Sequence, residues 1–204
     1  FKTFWDVKDD DVFWCTSDIG WVVGHSYIVY APLVSGATTV FREGAIDHPN
    51  PGVFYEIIEK YGVNVIFTAP TLLRMLMRYG EEYPLKYDLT SLRFLTCAGE
   101  PLNPEALKWT YEFICGNGEW GHIVDNWWQT ETGGICISPI APATPVIGGS
   151  ATLPLPGIQP RLYNAEGVRL EGEAEGLLCI EHPWPGQTRT IWGEHDRYVE
   201  TYFE

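Results

Sequence analysis

The chain has 204 residues, of which 45% are hydrophobic and 20% charged, and this composition is typical of an ordinary soluble globular protein. Lys and Arg number 13 against 27 Asp and Glu, so the formal net charge is -14. Such an acidic surface repels phosphodiester backbones and anionic lipid headgroups, so we expect neither a nucleic-acid nor a membrane partner. A small anionic ligand would need a metal ion or a nest of main-chain N–H groups.

The five cysteines are odd in number and scattered, and none has the spacing of a metal-ligand cluster. This pattern predicts a reducing, cytoplasmic environment. The chain opens at Phe1 without a Met or a targeting segment, so we expect a piece of a longer protein. The uncharged stretch from Ile19 to Phe41 is long enough to cross a bilayer, but its glycines, prolines and polar residues favour a buried helix that runs into a buried strand.

Up to about residue 126, short apolar runs alternate with segments of helical periodicity. Strands are predicted at 12–15, 38–41, 63–67, 93–97 and 122–126, and helices at about 24–35, 51–61, 71–79 and 103–115. On the second of these helices the residues expected to face the core are Val53, Phe54, Ile57, Ile58 and Tyr61. This alternation predicts βαβ units, that is, an α/β fold with a doubly wound, mainly parallel sheet over residues 1–135.

The composition changes after Thr132. Six prolines between residues 139 and 160 exclude long helices there, and the runs at 159–163 and 176–181 have the composition of strands. We therefore expect residues 136–204 to form a loop-rich region and the beginning of a small β subdomain.

Two motifs lack the structural context that their chemistry needs. Residues 116–121 read G-x-G-x-x-G, but they follow a helix and precede a strand, whereas a dinucleotide site requires the opposite order. The run Gly24-His25-Ser26 is like a nucleophile elbow without its second glycine. We interpret the first as a turn and His25 as a hydrogen-bonded residue at the start of a helix.

Two polar segments, 98–101 and 125–134, come directly after predicted strands. Ligands of open α/β sheets bind at the carboxyl ends of the strands, so both segments should face one crevice. Gly99 permits the backbone to approach a flat ligand closely. Asp125 and Asn126 offer hydrogen-bonding groups to the edge of a heterocycle.

The second segment also places a hydroxyl and a carboxylate side by side, at Thr130 and Glu131. Hard oxygen donors of this kind suit a phosphate accompanied by Mg²⁺. On the residues alone, a nucleotide site and a pair of capped turns both remain open interpretations.

Six motifs in register extend over essentially the whole chain. They are Cys15 to Trp21 with Gly24 to Tyr27, Thr68 to Thr71, Ala98 to Glu105, Trp127 to Gly134, Pro183 to Gly186 and Thr201 to Phe203. In these motifs the chain resembles the AMP-forming acetyl-CoA synthetases of the adenylate-forming superfamily. The run Trp-Trp-Gln-Thr-Glu-Thr-Gly is distinctive of that branch.

The resemblance implies that ATP activates acetate or another short-chain carboxylate in two half-reactions. The carboxylate attacks the α-phosphorus of ATP to give an acyl-adenylate and pyrophosphate, and the thiol of coenzyme A then displaces AMP. The implied small molecules are therefore ATP, Mg²⁺, coenzyme A and a short-chain acid. The residues that the resemblance assigns to ATP or AMP are Gly99, Glu100, Pro101, Asp125, Asn126, Trp127, Trp128, Gln129 and Thr130. It assigns Val22, Val23, Ala98 and Trp128 to the acyl pocket, Val23, Asp47 and Ala69 to coenzyme A, and Glu131 to the metal.

Three positions depart from the family pattern. Val23 stands where the family usually has Thr, and Asp47 where it tends to have Asn near coenzyme A. Ala98 stands where acetate-preferring members have Val, while Trp128 is the implied wall that blocks long acyl groups. One methylene group is worth about 1–3 kcal/mol of discrimination. We therefore expect the parent enzyme to accept propionate, or slightly larger acids, better than a strict acetate enzyme does.

The family's glycine-rich phosphate loop is expected before Phe1, and its domain with a catalytic lysine after Glu204. We accordingly assign no catalytic residue within these 204 residues and expect no useful turnover from them alone. Two alternatives stay open. One is a propionyl-CoA synthetase or another acyl-activating enzyme, and the other is a non-catalytic nucleotide- or protein-binding module on the same fold.

Overall fold

A parallel β-sheet is the central element of the computed structural model, which describes residues 1–203. Its strands are β1 (Val12–Cys15), β2 (Thr38–Val40), β3 (Val65–Thr68), β4 (Phe94–Ala98) and β5 (His122–Asn126), in the spatial order β2-β1-β3-β4-β5. All four neighbouring pairs are parallel. The helices are α1 (Lys2–Trp5), α2 (Ala31–Val34), α3 (Val53–Tyr61), α4 (Pro70–Tyr79), α5 (Pro104–Phe113) and α6 (His195–Phe203). A π-helix over Gly24–Tyr30 leads directly into α2.

Successive strand residues point to opposite faces of the sheet, and each face has its own hydrophobic cluster. Helices α3, α4 and α5 cover one face, where the strands contribute Trp14, Ile66, Leu95, Cys97 and Ile123. The π-helix and α1 cover the other face, where the strands contribute Phe13, Cys15, Val65, Phe67, Phe94, Ala98 and Val124. The predicted doubly wound α/β fold is therefore confirmed.

The strand order creates a crevice at the carboxyl ends of the central strands β1 and β3. The chain passes from β1 outward to β2 and then crosses back over β1 to β3. Since such crossovers are right-handed, the two connections lie on opposite faces of the sheet. The loops after β1 and β3 therefore diverge at the carboxyl ends of these strands, which is where open α/β sheets bind ligands.

Each strand and helix predicted before residue 126 is present, with ends shifted by a few residues at most. Three expectations about burial were wrong. The helical segment predicted at 24–35 is only partly buried, because it packs on the sheet with one side and exposes Tyr30, Leu33 and Val34 on the other. β2 is an edge strand with a neighbour on one side only, so Thr38 is exposed and the strand is not buried. Tyr61, expected in the core, is half exposed because it lines a groove beside that edge strand.

The region after residue 135 contains a two-stranded antiparallel sheet of β6 (Pro160–Tyr163) and β7 (Leu177–Ile180), as the strand composition predicted. Helix α6 was not predicted. The division of the chain at residue 135 stays a prediction, since Ile135 and Leu155 pack in the same cluster against the sheet.

The remaining sequence interpretations concern two motifs and one apolar stretch. Gly116–Gly118 forms a short turn between α5 and β5, and His25 Nδ1 donates to the Trp21 main-chain oxygen over 3.0 Å, both as predicted. Within residues 1–203, no helix combines the length and the apolar character that a membrane crossing requires.

Candidate active site

Two cavities adjoin at the carboxyl ends of the central strands. The first, here called the polar cavity, measures about 380 Å³ and is lined by Gly99, Glu100, Pro101, Asp125, Asn126, Trp127, Trp128, Gln129, Gly149 and Ala151. The structure thus brings together eight of the nine residues predicted for ATP or AMP. Gly149 and Ala151 come from the proline-rich region, where no local motif marked them as part of a site.

The second, here called the apolar cavity, measures about 270 Å³. It is lined by Ser17, Trp21, Val22, Val23, Phe67, Thr68, Ala69, Ala98, Gly99, Trp128, Gln129 and Thr130. All four residues predicted for the acyl pocket are among them. The two cavities share Gly99, Trp128 and Gln129, so a ligand in one lies directly beside a ligand in the other.

A larger groove of about 750 Å³ lies between α4 and α5, away from the carboxyl ends of the strands. Its lining includes Glu81, Glu82, Glu105 and Glu112, with Lys108 as the basic residue. Carboxylates in this number repel an anionic ligand, so we favour the two smaller cavities as the functional site.

Trp128 forms the wall between the two cavities, and buried aromatic rings fix its indole. Tyr27 of the π-helix meets the indole edge-on at 5.5 Å between ring centroids, and Phe67 of β3 lies 6.4 Å away. Both supporting rings are buried. Tyr27 ends one of the six sequence motifs, but neither ring was predicted to support the site. Phe67 lies on the same face of β3 as Val65, and both belong to the same core cluster.

Glu100 is held by the first turns of α4. The Thr71 hydroxyl donates to Glu100 Oε1, and Arg74 donates to Oε2 over 2.6 Å. The Thr71 hydrogen bond and the Arg74 charge lower the pKa of the Glu100 carboxyl below its usual value. The neighbouring Gly99 has a φ of 104°, and the space where a Cβ would stand is open. A main chain without a side chain therefore faces the cavity at this point.

Asp125 and Asn126, at the end of β5, are buried and hydrogen-bonded within the protein. Asp125 Oδ2 accepts from the Leu102 main-chain N–H over 2.8 Å, and burial raises the pKa of this carboxyl. Asn126 Nδ2 donates to the Thr96 hydroxyl, and its Oδ1 accepts from Ser138 over 2.6 Å. These bonds fix the turns that border the polar cavity. The predicted contact of both side chains with a heterocycle stays a prediction.

The segment after Trp128 forms a short 3₁₀ turn over Thr130–Thr132. The Gln129 main-chain N–H donates to the Thr132 hydroxyl over 3.0 Å, which closes the turn. The Thr130 side chain is exposed at the apolar cavity. Glu131 follows it, and Glu131 Oε1 accepts a hydrogen bond from the Tyr202 hydroxyl of α6, which raises the pKa of Tyr202.

The donor set at this turn suits a metal ion that arrives with a nucleotide. Within residues 1–203, no group of three or more His, Cys, Asp or Glu side chains is arranged to hold a metal. One carboxylate and one hydroxyl, at Glu131 and Thr130, offer hard oxygen ligands. Mg²⁺ is commonly held by one or two carboxylates together with substrate phosphates and water, so these residues fit that role.

The three residues predicted to contact coenzyme A do not lie together. Val23 and Ala69 both line the apolar cavity. Asp47 does not line it, and its Oδ2 accepts a hydrogen bond from the hydroxyl of Tyr79 over 2.7 Å. Tyr79 ends α4 whereas Ala69 precedes its first residue, and a helix of this length separates its ends by roughly 15 Å. The predicted contact of Asp47 with coenzyme A stays a prediction without support from this geometry.

Three comparisons show which known proteins this chain is similar to. The family described as AMP-binding enzyme matches residues 1–192. Acetyl-coenzyme A synthetase of Xanthomonas campestris pv. campestris is 53% identical over 202 residues, and that of Caulobacter vibrioides is 52% identical over 204 residues. The matches cover 99% and 98% of this chain, which spans 31% of each relative's length.

A solved structure is also similar to this chain. The crystal structure of an acyl-CoA synthetase of Brucella canis superposes with a TM-score of 0.76 and 32% sequence identity, over 86% of this chain and 31% of that one. At this identity the likeness extends beyond the fold to the sequence, and the family match covers the strands and turns that build both cavities. The chain belongs to the AMP-binding enzyme family.

Proposed function

We propose that the complete protein activates acetate or another short-chain carboxylate with ATP and transfers the acyl group to coenzyme A. The observation that carries this proposal is the pair of adjoining cavities that share the Trp128 indole. Relatives about half identical over nearly the whole chain are named acetyl-coenzyme A synthetase, which supports the same reaction.

The two cavities suit the two reactants of the first half-reaction. The adenine base lies in the polar cavity, against the main chain at Gly99 and Pro101. The hydrocarbon end of the acid lies in the apolar cavity, against Trp128. Because the cavities adjoin, the carboxylate of the acid meets the α-phosphorus beside Thr130, and this positioning lowers the entropic part of the barrier.

Glu131 and Thr130 would hold Mg²⁺ together with the nucleotide's phosphates, and the ion would supply neutralisation of the phosphate charge. The Thr130 hydroxyl donates a hydrogen bond to a phosphate oxygen. Val23 and Ala69 line the apolar cavity, where the thiol of coenzyme A reaches the acyl carbon in the second half-reaction.

The small Ala98 side chain in the lining of the apolar cavity favours acids somewhat larger than acetate. Ala98 contributes one methyl group to its lining. A propionyl-CoA synthetase is therefore the second candidate, and Ala98 is the observation that favours it. The Trp128 indole lines the same cavity, so we expect long acyl chains to be excluded.

Two further parts of the proposal concern the setting of the protein. The five cysteines are free thiols, four of them buried, which supports a reducing cytoplasmic environment.

We also propose that the α/β subdomain ends near residue 135 and that residues 136–204 begin a β-rich subdomain.

The test is carried out on the complete protein. Calorimetry measures ATP binding with and without Mg²⁺, and exchange of labelled pyrophosphate into ATP measures adenylation of acetate, propionate and butyrate. We expect exchange that depends on the acid, and a shift toward longer acids in Trp128→Gly. Trp192→Gly removes an indole that is 97% exposed and serves as the matched control. ATP binding without exchange would favour a non-catalytic nucleotide-binding module, and absence of ATP binding would favour a protein-binding module.

A further inference from the structure

The C-terminal part of the chain holds the turn that carries Glu131. The Thr188 main-chain N–H donates to the Glu131 main-chain oxygen over 2.8 Å, and the Trp184 indole N–H donates to the Thr132 oxygen over 2.8 Å. A third bond joins the Tyr202 hydroxyl to Glu131 Oε1, across 71 residues of sequence. Two of these bonds fix the main chain of the turn, and the third fixes the carboxylate itself.

The hydrogen bond from Tyr202 takes one oxygen of that carboxylate and leaves the other. Within residues 1–203 the structure gives Glu131 Oε2 no hydrogen-bond donor and Glu131 no salt-bridge partner. Glutamate loses considerable rotamer freedom when its carboxylate binds a ligand, and a donor that already holds one oxygen reduces that cost. Partners that orient a metal-binding carboxylate commonly change metal affinity by 10–100-fold when removed.

We propose that Tyr202 is a positioning residue that orients the Glu131 carboxylate for a divalent cation bound with the nucleotide. This inference rests on the proposed function, in which Glu131 holds Mg²⁺. Tyr202 donates through its hydroxyl to Oε1, so that Oε2 is available to the cation. Helix α6 thereby couples the region after residue 135 to the cavities at the end of β5.

The Tyr202 hydroxyl can be removed without disturbing the fold around it, so its role in orienting Glu131 can be tested separately from a structural role. Tyr202 is 42% exposed. The neighbouring Tyr198 and Glu131 are each also hydrogen-bonded to the main chain of Thr188. Tyr202→Phe therefore removes one hydroxyl without opening the core. The main-chain bonds from Thr188 and Trp184 stay in place in this variant and keep the turn folded.

The experiment measures Mn²⁺ affinity of the complete protein by electron paramagnetic resonance, with α,β-methylene-ATP present. Calorimetry of the same nucleotide without metal is run in parallel. The variants are Tyr202→Phe, Glu131→Gln and the double variant. The matched control is Tyr163→Phe, because the Tyr163 hydroxyl also donates to a glutamate, Glu181 Oε1, over 2.7 Å and far from the site.

We expect Tyr202→Phe to weaken Mn²⁺ binding about tenfold, at the lower end for such partners because Tyr202 is partly exposed. Metal-free nucleotide binding stays unchanged, and Tyr163→Phe behaves as the wild type. The double variant binds Mn²⁺ no more weakly than Glu131→Gln alone, because the hydroxyl acts only through that carboxylate.

Unchanged Mn²⁺ affinity in Tyr202→Phe, with a loss in Glu131→Gln, would overturn the inference and leave the proposed function standing. Equal weakening of metal-free nucleotide binding would also overturn it, because Tyr202 would then be a structural residue. Unchanged Mn²⁺ affinity in Glu131→Gln would overturn both the metal role of Glu131 and this inference. Failure of the wild type to bind the nucleotide would overturn the proposed function and the inference with it.

Discussion

The Asp125 carboxylate, in β5, accepts a hydrogen bond from the Leu102 main-chain N–H over 2.8 Å, so one strand fixes the turn that follows its neighbour. Gly99, Glu100 and Pro101 lie in that turn and line the polar cavity. Burial raises the pKa of Asp125, and the N–H of Leu102 partly opposes this shift because it stabilises the ionised form. The bond therefore links sheet register to the shape of the candidate nucleotide site.

Asp125→Ala should weaken nucleotide binding because the turn that lines the polar cavity loses its hydrogen bond to β5. The substitution leaves the Leu102 N–H unsatisfied in a buried position, which costs about 1–3 kcal/mol. If about half of this cost appears in binding, the Kd for ATP rises about fivefold at the middle of that range. Calorimetry without metal measures this Kd in the wild type and in the variant.

Asp125→Asn is the matched variant, since its side-chain oxygen can still accept from Leu102. We expect it to retain most of the affinity that the alanine variant loses. Equal losses in the two variants would show that the negative charge, and not the hydrogen bond to the turn, supports binding.

The Glu100 carboxylate should make stability depend on pH in a specific window. Its pKa is lowered in the folded protein, first by the Thr71 hydroxyl and then by Arg74. A carboxyl with a lowered pKa stabilises the fold fully above its unfolded pKa, for which the reference value is 4.5, and this contribution disappears as pH falls through the lowered value.

We therefore expect Glu100→Gln to lower the Tm at pH 7, and we expect the difference from the wild type to shrink below about pH 4.5. The difference is small because the Glu100 side chain is 37% exposed and solvent screens the pair. Glu166→Gln, on an exposed turn, is the control. A Tm difference for Glu100→Gln that does not vary between pH 7 and pH 3.5 would contradict the prediction.

The fold followed from sequence because its signals are local. Buried parallel strands such as β3 appear as continuous apolar runs, and glycines such as Gly62 end helices in a left-handed conformation that other residues rarely adopt. The carboxyl-end rule then placed the segments at 98–101 and 125–134 beside one crevice, as the structure has them.

Interactions between distant segments had no comparable signal. Tyr202 lies 71 residues from Glu131, and the helical periodicity of α6 was missed because it follows a proline-rich region. The exposure of β2 depends on its position at the edge of the sheet. The order of the strands is set by the whole chain and cannot be predicted from the sequence of a single segment. Asp47 was assigned from resemblance, and its hydrogen bond to Tyr79 depends on the course of a long loop.

Ala98→Val should narrow the substrate range toward acetate. Ala98 lies at the end of β4 and lines the apolar cavity, so two additional methyl groups take up space that propionate would fill. At about 1–3 kcal/mol per methylene, the ratio of kcat/KM for propionate over acetate should fall by about tenfold or more. Val23→Thr restores the other residue that the family has here and keeps the volume nearly unchanged, so it should leave this ratio within about twofold. A propionate preference retained in Ala98→Val would assign the size limit to another wall of the cavity.

Gly133→Ala should loosen the turn that carries Glu131, and Gly167 provides a close control. Both glycines have a left-handed φ, 70° and 74°, so alanine at either position pays a backbone cost of about 1 kcal/mol. The surroundings differ: a Cβ at Gly133 would lie 2.0 Å from the Gly186 main-chain oxygen, whereas nothing lies within 4 Å of one at Gly167. Gly133→Ala should therefore separate the turn from the segment at 184–188. We expect faster hydrogen exchange in both segments and a lower Mn²⁺ affinity. Gly167→Ala should show only a small decrease in Tm. Equal effects of the two substitutions would mean that the contact between Gly133 and Gly186 does not hold the turn in place.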